Sequence, residues 1–152
     1  MTWTYNNYPL DVEQIPDTAI GFIYIITELS TGRKYLGRKL LTKSAFRMVK
    51  GKRKKYRKPS DFLEYWSSSP YLLELIEQAG KENFTREIIC FADGKATLTY
   101  LEEKFQYVLG VLEDPQWINA NIRSRIFKKH IMGKADVATA QILLARLTSG
   151  KP

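Results

Sequence analysis

The clearest element in the chain is a run of five β-forming apolar residues, Phe22-Ile23-Tyr24-Ile25-Ile26, inside residues 21–27. A run of that length without polar alternation predicts a strand buried on both faces. Turn-forming residues follow over 28–32, and residues 34–39 read as the return strand of a hairpin. A helix is expected around residues 42–49, then a loop over 50–58. Ser69 as N-cap with Pro70 at the first helical position opens a further helix through Leu72, Leu73 and Ile76, which Gly80 closes. Residues 84–91 read as a third strand. From 95 to 112, Leu98, Leu101, Phe105, Val108, Leu109 and Leu112 recur at helical spacing until Asp114-Pro115. Residues 117–122 read as a short extended piece, and Asp136 caps a last helix bearing Val137, Ala140, Leu143, Leu144 and Leu147.

These elements predict an α+β domain with a small central sheet of about three strands, antiparallel or mixed, flanked by helices. Three regions are expected: an N-terminal arm over 1–20, either packed on the domain or partly disordered; a central domain over 21–126 with a basic insert at about 50–58; and a helical extension over 127–152. A single domain of this length, 152 residues, buries roughly 68–70% of the surface its unfolded chain exposes, which is enough for one core.

Composition narrows the function classes. No stretch approaches the roughly 18 apolar residues of a membrane span, and Asp11 and Glu13 break any leader-like pattern at the start. The expectation is a soluble, non-secreted, cytoplasmic protein. The single cysteine, Cys90, sits in an apolar run, so it reads as a buried thiol with no partner for an internal disulfide. Charge is more telling. Positions 33 to 58 hold 13 Lys/Arg and no Asp/Glu, whereas the rest of the chain holds 11 Lys/Arg against 16 Asp/Glu. A positive field that concentrated favours a polyanion through counterion release. Phe46 and Tyr56 interleave with the basic residues, and no amphipathic insertion helix accompanies them, which favours nucleic acid over a membrane surface.

Gly21-Phe22-Ile23-Tyr24, followed eleven residues on by Tyr35-Leu36-Gly37, resembles the paired motif of the GIY-YIG endonucleases. A turn centred near residues 29–31 sets Tyr24 and Tyr35 opposite one another to within one register step, on one face of the sheet. Either tyrosine alone would read as an ordinary strand residue with a buried ring. The likeness extends over residues 21–126. Trp66-Ser67-Ser68-Ser69, Phe84-Thr85-Arg86-Glu87-Ile88 and Tyr100-Leu101-Glu102 with Lys104 and Gln106 look like freestanding, phage-encoded members.

The resemblance implies a metal-dependent endonuclease acting on double-stranded DNA, with one glutamate holding Mg²⁺ or Mn²⁺. Glu102 and Glu103 both fit the position. At about 100° per residue Glu102 lies roughly 75° from the apolar stripe and can face a cleft, whereas Glu103 points to water. The family's closing asparagine is Asn119 or Asn121, with Asn119 the better match. Where better-known members place an arginine this chain has Ala45, so Arg47, or else Lys39 or Lys43, must substitute. His130 is the sole histidine and lies outside the matched region, which disfavours a histidine base. Tyr24 is implied as general base or water-orienting group, with Tyr35 and Arg47 on the phosphate. Arg38, Lys43, Lys52, Arg53, Lys54, Lys55, Arg57 and Lys58 are expected to bind the DNA backbone for affinity rather than base specificity. With no recognition module evident, low or shape-based specificity is expected, or targeting by a partner or a homodimer. The competing readings are a catalytically silent nucleic-acid-binding module and a small RNA-binding protein.

Overall fold

The computed structural model of the protein describes residues 2–123 and 125–149. In chain order these form β1 (Trp3–Tyr5), β2 (Tyr8–Pro9), β3 (Gly21–Glu28), β4 (Lys34–Leu40), β5 (Thr42–Val49), β6 (Lys52–Pro59), α1 (Pro70–Ala79), β7 (Phe84–Ala92), α2 (Lys95–Val108), β8 (Asn121–Ile122), β9 (Ile126–Phe127), α3 (Lys128–Ile131) and α4 (Ala135–Ser149). The fold is α+β, and its central sheet is mixed, with the order β2-β1-β7-β3-β4.

That sheet has five strands, two more than expected, because the N-terminal arm is part of it. Asn6 and Asn7 both take positive φ, 51° and 70°, the backbone of a two-residue hairpin turn. The turn lets β2 fold back on β1, which runs parallel to β7 with Trp3 beside Arg86. The buried Trp3 indole donates to the Phe62 carbonyl at 2.7 Å.

The sheet separates two apolar layers. Phe22, Tyr24 and Ile26 of β3 face Leu72 and Ile76 of α1, while Ile23 of β3 and Leu36 of β4 face Leu98 of α2. Alternation along a strand buried on both faces divides its side chains between the two layers. α1 starts and stops where its caps place it: the Ser69 hydroxyl accepts from Leu72 N–H, and Gly80 follows its last turn. α2 ends at Val108, four residues short of the expected end. Gly110 at φ +61° forms a left-handed cap, with Val111 N–H on the Gln106 carbonyl and Gly110 N–H on the Tyr107 carbonyl. Val111 and Leu112 then turn inward and are buried.

Residues 42–49 are strand, not helix, and residues 50–58 are not a loop. β5 and β6 pair only with each other as a separate antiparallel hairpin. The reversal is made by Lys50 and Gly51, at φ +50° and +74°, again the signature of a two-residue hairpin turn. No helix among the described residues is long and apolar enough to cross a membrane.

Candidate active site

The motif glycines explain how the hairpin receives its surroundings. Tyr24 of β3 pairs directly with Gly37 of β4, and a Cβ on Gly37 would stand 2.5 Å from the Tyr24 hydroxyl. Only hydrogen leaves room for the phenol to lie across β4. A Cβ on Gly21 would stand 2.6 Å from Leu98 Cδ2 and 2.8 Å from the Lys39 carbonyl, so this glycine lets α2 approach the hairpin. Leu98 is thereby seated on β3, and Glu102, four residues on, shares its helical face.

Tyr35 pairs with Ile26 rather than lying within one step of Tyr24, so the two tyrosines are diagonal neighbours. The Glu28–Arg33 backbone bond and the Thr27–Lys34 pair centre the turn between Ser30 and Thr31, one residue later than direct opposition of the two tyrosines requires. A one-residue shift of centre moves each partner by two, which preserves the face. The rings lie 6.3 Å apart, and Tyr65 packs edge-on against Tyr24 at 6.0 Å. Burial, before any other cause, raises the Tyr24 phenol well above its ordinary value, with Tyr35 and Tyr65 adding to the effect. Tyr35, half-buried, is raised chiefly by burial, while Ser67 and Ser68 hydroxyls act against the rise.

β4 is an edge strand, and the site wraps around it. Tyr24, Tyr35, Arg38, Ser68, Glu102 and Arg123 line one cavity of about 640 Å³. The phenols reach it from the α1 side of the sheet, while Glu102 and Arg38 reach it from the α2 side. Arg38 Nε stands 3.6 Å from Glu102 Oε1, and its guanidinium also donates to the Thr99 hydroxyl. The Glu102 side chain is 22% exposed. Burial raises it above the usual carboxylate range, Arg38 opposes the rise, and Glu103 adds to it.

Asn119 covers the open edge of β4. Its buried amide accepts from Leu36 N–H at 3.0 Å and donates to the Leu36 carbonyl at 2.8 Å, so one side chain acts as a strand partner. Just before it, Lys34 N–H bonds to the Gln116 carbonyl and Ile118 N–H to the Lys34 carbonyl. Asn119 and Asn121 both line the cavity.

The remaining expected residues lie elsewhere. Lys39 bonds to Asp61 at 2.7 Å and sits 4.0 Å from the Tyr65 ring centre, bracing the loop that leads to Ser67. Arg47 lies over Tyr56 on the β5–β6 hairpin, and Lys43 shares its strand; neither lines the cavity. Lys52, Arg53, Lys54, Lys55, Arg57 and Lys58 are all on β6. Glu103 does not simply face water: it is ion-paired with Arg123 and its side chain is 22% exposed. The cavity cations are Arg38, expected only to touch the DNA backbone, and Arg123, which no sequence pattern marked. Arg38 follows the motif glycine directly, and that adjacency was the available signal.

Among the described residues no three His, Cys, Asp or Glu side chains gather as a metal cluster, and Glu102 is the one carboxylate lining the cavity. That donor set fits a hard cation which keeps most of its water and takes the rest of its ligands from substrate phosphate. It does not fit a protein-only cage.

A family model described as "Putative endonuclease segE, GIY-YIG domain" matches residues 3–122. No curated protein and no solved structure matches the chain. The match takes in β1 at one end and Asn119 at the other, and every cavity residue named above except Arg123 falls within it.

Proposed function

The chain belongs to the GIY-YIG endonuclease family, a family of DNA nucleases, and on that premise we propose that it hydrolyses phosphodiester bonds of double-stranded DNA in the cavity around β4, with Mg²⁺ or Mn²⁺ held by Glu102. The observation that carries this reading is the convergence of Tyr24, Tyr35 and Glu102 on one cavity from opposite faces of the sheet.

The scissile phosphate enters between the phenols and Glu102. Arg38 and Arg123 supply positive charge to its nonbridging oxygens, and the Tyr35 hydroxyl donates a hydrogen bond to one of them. Water attacks phosphorus in line, one P–O ester bond breaks, and the products are a phosphomonoester and an alcohol. Burial keeps Tyr24 a neutral phenol, which favours the water-orienting role over that of a base: its oxygen accepts a hydrogen bond from the attacking water. A divalent cation bound through Glu102 would supply further charge neutralisation at the phosphate and leaving oxygens. Asn119 acts one step removed, fixing Leu36 and with it Tyr35 and Gly37 on either side.

Supercoiled plasmid nicking in Mg²⁺ is the test. The parent protein should nick, Glu102→Ala should lose at least about 100-fold, and Tyr35→Phe or Arg38→Ala should lose about 10²-fold, the scale of removing one transition-state donor. Absence of metal-dependent nicking by the parent protein overturns the proposal in favour of a binding module.

A further inference from the structure

The β5–β6 hairpin stands apart from the central sheet, its eight-residue strands pairing only with each other, and its two faces differ in chemistry. It carries nine Lys/Arg and no Asp/Glu between Thr42 and Pro59. Directly paired residues share a face. One face therefore bears Lys43, Arg47, Lys52, Lys54 and Lys58 around the half-buried Tyr56. The other bears Phe46, Met48 and Arg53 toward the tip, Lys55 opposite Phe46, and Arg57 with Thr42 and Ser44 at the root.

That second face is ordered. The Arg57 guanidinium is bonded to the Thr42 hydroxyl at 2.7 Å, the Thr42 carbonyl at 2.9 Å and the Ser44 hydroxyl at 3.0 Å, which ties the root of the two strands together. Nearer the tip, Arg53 lies 3.9 Å from the centre of the Phe46 ring. Its donors are directed to no acceptor among the described residues. Phe46 and Met48 are 51% and 68% exposed. A polycation that served only to attract phosphate would gain nothing from presenting these apolar side chains and a stacked arginine fork together.

We propose that this hairpin is a major-groove reading ribbon, whose Arg53, Phe46 and Met48 face contacts base edges while the lysine-rich face and rim meet phosphates. The major groove of B-DNA admits a two-stranded ribbon. A stacked arginine presents its fork to guanine O6 and N7, and apolar side chains contact the thymine methyl. The A-form major groove of RNA is too deep and narrow for such readout. The hairpin is also rooted beside the active site. Ser60 N–H and hydroxyl bond to the Leu41 and Leu40 carbonyls, and Thr42 follows the cavity residue Arg38 by four residues, at most about 14 Å of chain. Base preference should therefore lie within about one helical turn of the cut. This rests on the DNA-nuclease reading and departs from the expectation that the basic segment supplies affinity alone.

The test uses the full chain carrying Glu102→Ala, so that binding is read without cleavage, in selection from a randomised duplex library. The parent background should enrich bases including guanine. Adding Arg53→Lys, which keeps the charge and removes the fork, should flatten the guanine preference by about 5-fold or more while random-duplex affinity changes less than about 3-fold. Adding Lys52→Gln, Lys54→Gln and Lys58→Gln instead should leave the enriched bases unchanged and lower the salt slope of binding by about 2.7. Binding without enrichment, or enrichment identical in Arg53→Lys, overturns the ribbon proposal. Double-stranded RNA competing as well as DNA overturns it too. Plasmid nicking by the protein with its glutamate intact is unaffected by those outcomes, so it judges the nuclease reading separately.

Discussion

Three residues carry constraints that their neighbours cannot relieve. Gly37 is fixed by the Tyr24 phenol lying across it. Gly37→Ala must therefore displace the ring or β4, and nicking should fall by about 100-fold or more, the order expected when reacting groups move by an ångström. The fold should persist by circular dichroism. Glu102 is held where its charged form is disfavoured. Its folded pKa lies above the unfolded value of about 4.3, so the stability cost is absent below that pH, grows as pH rises through the folded pKa, and is complete above it. Glu102→Gln removes the cost. In metal-free buffer its melting temperature should exceed the parent's by a margin that widens from pH 4 towards neutrality, and an equal margin at both ends would refute this. Asn119 is constrained by doing the work of a strand: both ends of its amide are committed to Leu36.

At the scale of elements, the loop between β6 and α1 brings Tyr65 and Ser67 to the tyrosines, and Arg86 holds it. The Arg86 guanidinium lies between the rings of Trp3 and Trp66, at 4.6 and 4.3 Å, and donates to the Leu63 and Tyr65 carbonyls. Arg86→Met keeps much of the volume but strips two carbonyls of their donor, costing about 3 kcal/mol. The expected fall in melting temperature is about 6–12 °C, with nicking reduced as the loop loosens. Elements with local signals were legible in the sequence: β3 from its unbroken apolar run, α1 from Ser69-Pro70 and Gly80, the body of α2 from Leu98, Leu101 and Phe105. β1 was not, because Trp3 gains its strand partner from Arg86, over eighty residues away. The β5–β6 hairpin was misread because its charge masks the alternation, although Lys50-Gly51 was a turn signal in plain view. The site was legible as far as the motif reached. Tyr24, Tyr35, Glu102 and Asn119 do meet at one cavity. Arg38 was expected only to bind the DNA backbone because alternation puts it on the face opposite the tyrosines, and only a cavity curling around an edge strand reunites them.

For the molecule as a whole, positive charge is concentrated in an appendage that contributes little to the core. Tyr56 and Ala45 on the hairpin are half-buried at most, and the core clusters draw on none of its residues. Replacing residues 43–58 with a short Gly-Ser turn should leave the melting temperature within about 4 °C of the parent's, a change of about 1 kcal/mol. Binding to random duplex should lose most of its salt dependence. A collapse of the fold would show that the appendage is structural after all.

The Asn119 clamp also orders events during synthesis. By the time the ribosome has released both phenols, the arginine beside them and Glu102, the outer edge of β4 still has no partner, because the amide that seals it is encoded seventeen residues after the glutamate. Nascent chains stopped at Gly110 would hold every charged group proposed to touch the phosphate except Arg123 and yet leave Leu36 unclamped. A chain truncated at Gly110 is therefore expected not to nick plasmid, so that the proposed cutting would begin only once the segment carrying Asn119 is threaded into place.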